Sequence, residues 1–217
     1  LGSPLFWLRD DPEVFIAFVI AIIVGLTLHE FSHAAVATLQ GDSTARSQGR
    51  LTLNPVVHLD PLGSIALVIA GLGWARPTPV TPSRLRYHRI GMVAVALAGP
   101  AANFVLAIAS TIALRIAYSM GGGAFNSDFS VKLLTGLVVW NVLLGIFNLL
   151  PIPPLDGSTL LTVLLPPSRQ NIVRFLDQYG IFLLLGLLIL APNLLRPIVL
   201  SVIETISRLV GVVILPV

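Results

Sequence analysis

His29, Glu30 and His33 stand in the order His-Glu-Phe-Ser-His, an H-E-x-x-H spacing. In a helix, residues i and i+4 share one face, so both imidazoles can reach a single metal ion. The carboxylate between them can act as general base on a metal-bound water, the chemistry of zinc-dependent hydrolysis. The competing reading is a pair of buried histidines bonded to neighbours beside a protonated Glu30. Position favours the metal: the motif lies in an apolar stretch that starts at Val14 and runs past Ala37. Ionisable groups inside such a stretch are expensive and are usually functional.

A catalytic zinc site takes three protein ligands and keeps one position open for water. Asp156 is the candidate third ligand, in the run Asn148-Leu149-Leu150-Pro151-Ile152-Pro153-Pro154-Leu155-Asp156-Gly157. The prolines break a helix there, and Gly157 permits a tight turn. The expected result is an unwound stretch that presents a carboxylate at membrane depth. Taken alone, Asp156 could equally be an ordinary helix cap after a span.

These residues need elements to hold them, and composition says which kind. The chain has 217 residues, 55% hydrophobic and 11% charged, with a mean hydropathy of +0.92. Soluble domains are about 25% charged, so a water-soluble globule is excluded, and disorder with it. No cysteine is present, which removes disulfides and thiolate metal sites. The net charge of +3 comes largely from arginines between apolar segments, where they set orientation and do not suggest nucleic-acid binding. The first apolar stretch is too long for a signal peptide and reads as a retained helix.

Spanning a bilayer takes about 20 apolar residues. Residues 14–39, 90–118 and 133–152 meet that length, 178–192 approaches it, and 197–215 is amphipathic. In that last segment Ser201, Glu204, Arg208 and Gly211 form a stripe that faces either the bundle or lipid headgroups. Pro61–Ala75 is uncharged but lies between Arg46 and Arg50 on one side and Arg76, Arg84, Arg86 and Arg89 on the other. Basic loops prefer the cytoplasmic side, so both clusters belong inside and the segment must enter and leave on that side. The loop 120–132, with Gly121-Gly122-Gly123, Asp128 and Lys132, is then outside, and the loop 166–177 inside. The reading is an all-α membrane protein. It is a bundle of about five to six transmembrane helices with a re-entrant, partly extended segment at residues 40–89. It forms a single domain over 1–217, with a catalytic core at about 14–165 and C-terminal helices at 178–215.

Depth joins the polar motifs. His29 lies 15 residues from Val14 and Asn148 lies 15 from Leu133, each roughly 22 Å from the outer end of its helix. Gly99-Pro100-Ala101-Ala102-Asn103 enters from the inner side to roughly 14–20 Å. All three converge on one layer nearer the cytoplasmic face. A divalent cation there would offset the buried charges of Glu30 and Asp156.

His-Glu-Phe-Ser-His, Gly-Pro-Ala-Ala-Asn and Asn-Leu-Leu-Pro-Ile-Pro-Pro-Leu-Asp-Gly together resemble the motifs of the site-2 protease family of intramembrane zinc metalloproteases. The last fits N-x-x-P-x-x-P-L-D-G through Asn148, Pro151, Pro154, Leu155, Asp156 and Gly157. Asn54-Pro55 to His58, Asp60-Pro61 and Gly73-Trp74-Ala75-Arg76-Pro77 are similar to the compact members, and the 217 residues leave no room for PDZ or CBS domains. The resemblance covers about residues 25–160. It implies one Zn2+ per chain held by His29, His33 and Asp156, with Glu30 as base. It also implies Asn148 and Asn103 near the substrate backbone or oxyanion. The implied substrate is a transmembrane segment of another protein in the lipid bilayer of a prokaryotic cell. The alternative is a non-proteolytic metal-binding membrane protein or transporter, but transporters tend to show repeated halves and no repeat is visible.

Two further residues are candidates for holding substrate. His58 could approach the site from the re-entrant segment, or be an interfacial histidine bonded to a loop carbonyl. Gly73–Thr81 is either a strand or an irregular loop kept out of helix by its prolines. As a strand, Pro77 and Pro79 would blunt one edge, leaving donors at Arg76, Thr78 and Val80 on the other. That edge could take an extended substrate or a neighbouring strand.

Overall fold

The computed structural model describes residues 4–71, 73–119, 128–191, 193–212 and 214. A short helix, α1 (Pro4–Asp10), leads into α2 (Pro12–Leu39). Asp11 caps α2 by accepting the Val14 N–H at 3.2 Å, with Pro12 at the first helical position, a placement that loses no hydrogen bond. α2 packs against α6 (His88–Ser119) and α7 (Asp128–Asn148), and these three helices form the body of the bundle. Where α1 meets it, Trp7, Phe18 and Trp140 stack edge-on, with ring centroids 4.7 Å apart for Phe18 and Trp140 and 5.5 Å for Trp7 and Phe18. Trp140 is therefore a packing aromatic, while Trp74 is exposed.

Among the described residues four helices are long and apolar enough to cross a membrane: α2, α6, α7 and α9 (Gln170–Leu190). Two of them begin earlier than charge-free runs suggested. α7 starts at Asp128, so Lys132 lies on the helix and not in a loop. Its charge is met by Asp128, Asp11 and Glu13, at 2.9, 2.9 and 3.1 Å. α9 starts at Gln170, and Arg174 occupies an exposed turn of the helix where the sequence suggested a loop to 177. The proposed glycine turn at residues 121–123 lies outside the described residues.

α10 (Arg196–Val210) is amphipathic. Val199, Ile203 and Ile206 pack against Leu114, Val138 and Val142. The stripe of Ser201, Glu204, Arg208 and Gly211 faces away from the bundle, with Glu204 and Arg208 paired at 2.6 Å.

Between α2 and α6 the chain makes three short helices: α3 (Thr44–Ser47), α4 (Pro55–His58) and α5 (Pro61–Ala70). Ten residues of α5 rise about 15 Å, half of a hydrocarbon core of about 30 Å. An antiparallel bridge pairs Leu59 with Ala75, and the Arg76 N–H donates to the His58 carbonyl at 2.7 Å. Entry and exit of the excursion are thus side by side, as a re-entrant segment requires. A β-carbon on Gly63 would strike the Trp74 carbonyl, so α5 and the returning chain touch backbone to backbone. The return is not helical, and beyond that single bridge the described residues form no strand ladder.

Asp42 fastens the far end of the excursion. Its carboxylate accepts from the Thr44 N–H (3.0 Å), the Thr44 hydroxyl (2.5 Å) and the Thr81 N–H (2.6 Å). Burial pushes the Asp42 carboxyl up, but these hydrogen bonds outweigh it and hold the group below its ordinary 3.8. A group depressed in this way contributes stability above its unfolded pKa and loses it as pH falls through the folded value. Asp42→Asn is therefore expected to melt below wild type at neutral pH. The gap should narrow as pH drops below about 4. Detergent-solubilised thermal melts from pH 7 to 3 measure it; a gap that stays constant would remove Asp42 from this role.

Candidate metal centre

His29 and His33 lie one turn apart on the last third of α2, with Nε2 atoms 3.0 Å apart. Asp156 Oδ2 lies 3.0 Å from His29 Nε2 and 3.3 Å from His33 Nε2. Among the described residues these are the one group of three such side chains placed to hold a metal.

Hydrogen bonds decide what the three atoms offer. His33 Nδ1–H donates to the Val95 carbonyl at 2.7 Å, and a carbonyl can only accept. His29 Nδ1 meets Asn103 Oδ1 at 2.7 Å. The orientation of that amide is fixed by its other end, whose Nδ2 donates to the Gly25 carbonyl (3.1 Å) and to Asn141 Oδ1 (2.8 Å). His29 must therefore carry its proton on Nδ1. In the neutral form that binds a metal, both imidazoles turn unprotonated Nε2 atoms toward a carboxylate oxygen that is itself buried without a hydrogen-bond partner. Two lone pairs and a carboxylate facing one another repel unless a cation lies between them. An N2O donor set of this kind suits zinc.

Asp156 reaches this point because α7 ends at Asn148 and residues 149–155 are not helical. The carboxylate is in the first turn of α8 (Asp156–Leu164). Gly157 serves close packing and not a positive-φ turn. It is buried, and a β-carbon there would run into the Leu149 and Leu150 carbonyls. On the other side α6 passes at Gly99, where a β-carbon would lie 2.5 Å from His33 Nε2 and 2.6 Å from His29 Nε2.

Glu30 is 7% exposed. Its Oε2 accepts from the Thr78 N–H at 2.9 Å and from the Thr78 hydroxyl at 2.7 Å. Two of the three donors expected on the open edge are engaged within the chain: Arg76 donates to His58 O and Thr78 to Glu30. His58, expected as a possible substrate contact, is fully buried as the last residue of α4, with Nε2–H donating to the Thr52 carbonyl at 2.8 Å. It pins the loop, and among the described residues it belongs to no group placed to hold a metal. Asn103, expected near the substrate or oxyanion, is fully buried with its amide committed to His29, Gly25 and Asn141. Asn148 is half-buried and gives one amide hydrogen to the Leu144 carbonyl at 3.0 Å.

Asn141 escaped sequence reasoning. It is fully buried in α7, and its Nδ2 donates to Leu137 O at 2.9 Å while its Oδ1 takes the hydrogen from Asn103. The available signal was two uncharged amides in the middle of apolar spans. Asn103→Leu should free the His29 ring to turn and lower zinc affinity by about 10- to 100-fold. Competition with a chelator measures this, and unchanged zinc retention would remove Asn103 from the metal's support.

A family model described as Peptidase family M50 matches residues 114–187, which include Asp156. The chain is 39% identical over 203 residues to "Putative zinc metalloprotease YwhC" of Bacillus subtilis strain 168, covering 91% of this chain and 92% of the relative. It is 33% identical over 207 residues to "Putative zinc metalloprotease Rip2" of Mycolicibacterium smegmatis, covering 90% and 77%. The Mycobacterium tuberculosis H37Rv protein of the same name is 31% identical over 217 residues, covering 89% and 77%. No solved structure matches the chain significantly.

Proposed function

The chain belongs to peptidase family M50, the site-2 protease family of zinc metalloproteases, and from that premise we propose that it cuts a peptide bond within or near a transmembrane segment of another membrane protein. The observation that carries the reading is the convergence of His29 Nε2, His33 Nε2 and Asp156 Oδ2 beside the motif's Glu30, on a helix apolar enough to span a bilayer. One domain does this work, with one zinc per chain held by His29, His33 and Asp156.

A zinc ion held there by His29, His33 and Asp156 would supply Lewis-acid chemistry, polarising the scissile carbonyl and lowering the pKa of water. Glu30 accepts the water proton and hands it to the leaving amine. Asn148 has a second amide hydrogen beyond the one given to Leu144, and it donates this to the oxyanion, an effect worth roughly 3 kcal/mol in comparable sites. Asn103 and Val95 hold the two imidazoles in the tautomer that leaves Nε2 free. The arginine-rich loops support a site nearer the cytoplasmic face of a cell membrane, a place suited to regulated intramembrane proteolysis.

The test is metal removal. Purified protein in proteoliposomes is given a tagged single-span substrate, stripped with a chelator, and reloaded. Cleavage should disappear on stripping and return with one equivalent of zinc per chain. Hydrolysis that survives complete removal of zinc would overturn the reading.

A further inference from the structure

Glu30 is a buried carboxylate with a single described polar neighbour outside its own helix. That neighbour is Thr78, 48 positions along the chain. Both of its donors converge on one oxygen. The N–H lies 2.9 Å and the hydroxyl 2.7 Å from Oε2, and the hydroxyl is also 3.0 Å from the Glu30 main-chain carbonyl. A carboxylate has about four lone-pair sites on its two oxygens. Thr78 occupies those of Oε2 and leaves Oε1 open.

Thr78 is held from both directions. Before it, Ala75 bridges to Leu59 and Arg76 N–H donates to His58 O. The Arg50 guanidinium donates to the Val57 carbonyl, to Arg76 O at 3.0 Å and to Pro77 O at 2.8 Å. After it, Thr81 N–H is held by Asp42 and its hydroxyl meets Thr44 Oγ1 at 2.9 Å. Pro77 and Pro79 on either side fix their own φ angles. Residues 75–81 therefore form a splint, tied down on both sides of the residue that hydrogen-bonds Glu30.

We propose that Thr78 is a positioning residue for the reaction: it fixes Oε2 so that Oε1 is the oxygen that meets the attacking water. A swinging carboxylate would lose the alignment that proton transfer needs, and misplacement by an ångström can cost about 100-fold. The inference rests on the reading of Glu30 as base. A purely mechanical clasp, fastening the splint to α2, would need the same contacts but would not depend on where Oε1 points.

The experiment compares Thr78→Val, Thr78→Ala and Thr78→Ser with wild type in the zinc-loaded protein, and runs Glu30→Gln in parallel. Val keeps the shape and the N–H but removes the hydroxyl. Its kcat should fall by roughly 10- to 100-fold, with KM and zinc content within about twofold. Ala should behave likewise, which keeps the test open if Val disturbs folding. Ser, which restores the hydroxyl without the methyl, should recover most of kcat. A Val or Ala variant with wild-type kcat overturns the inference, as does a Ser variant as slow as Val or a loss carried wholly by KM. If Glu30→Gln is inert while Thr78→Val turns over normally, only the positioning role fails. If Glu30→Gln turns over normally, the assignment of the base fails and the inference falls with it.

Discussion

A Glu30→Gln protein is expected to keep its zinc and lose turnover by at least about 100-fold, the lower range for removing a general base. The exchange is nearly isosteric. The glutamine oxygen can still accept from Thr78, so the splint has no cause to move. The three prospective ligands are untouched, because Asp156 and both Nε2 atoms face one another without Glu30. What disappears is an oxygen able to take a proton from water. Metal analysis and a cleavage assay on the same preparation decide the matter. Loss of zinc would make Glu30 a ligand, and undiminished cleavage would remove it from the mechanism.

Gly99→Ala should do the opposite, sparing the fold and emptying the site. Alanine is about 1 kcal/mol better than glycine in a helix interior, so α6 itself gains. The added carbon, however, would sit 2.5 Å and 2.6 Å from the two Nε2 atoms. The rings cannot retreat freely, since Val95 O and Asn103 hold their far sides at 2.7 Å. Either α6 shifts or the Nε2 atoms turn away, and in both cases the donor set opens. Zinc affinity is expected to drop by about 100-fold or more, the upper range for disturbing the support of a ligand, and cleavage should vanish with it. Circular dichroism should show full helix content beside a metal analysis near zero. A Gly99→Ala protein with one tightly held zinc would show that α6 does not crowd the site.

The sequence makes some of this legible and hides the rest for identifiable reasons. His29 and His33 need only the period of a helix, and Asp156 follows from matching depths along α2 and α7. The re-entrant segment follows from charge, since Arg46, Arg50 and Arg76 cannot lie on opposite sides without breaking a strong bias. The contact of Asn103 with His29 was not legible, because it depends on how α6 is rotated against α2, which no single-helix pattern records. Thr78 was expected to offer a free donor, and its donation to Glu30 depends on how the chain returns after α5, which the sequence does not record. The starts of α7 and α9 were set too late because Lys132 and Asp177 were treated as ends of spans. Lys132 is neutralised by three carboxylates, and Asp177, like Arg174, is exposed on α9.

The division of the metal centre between α2 and α8 also bears on how the protein is made. The two histidines are translated first, and the carboxylate proposed to complete the set follows only after α6 and α7 have been made. Synthesis proceeds residue by residue from the N-terminus, so for several seconds the nascent chain holds two of three ligands. A protease that enters the membrane beside other newly inserted helices is thereby without a working centre during its own biogenesis. Its first opportunity to cut comes when α8 has docked.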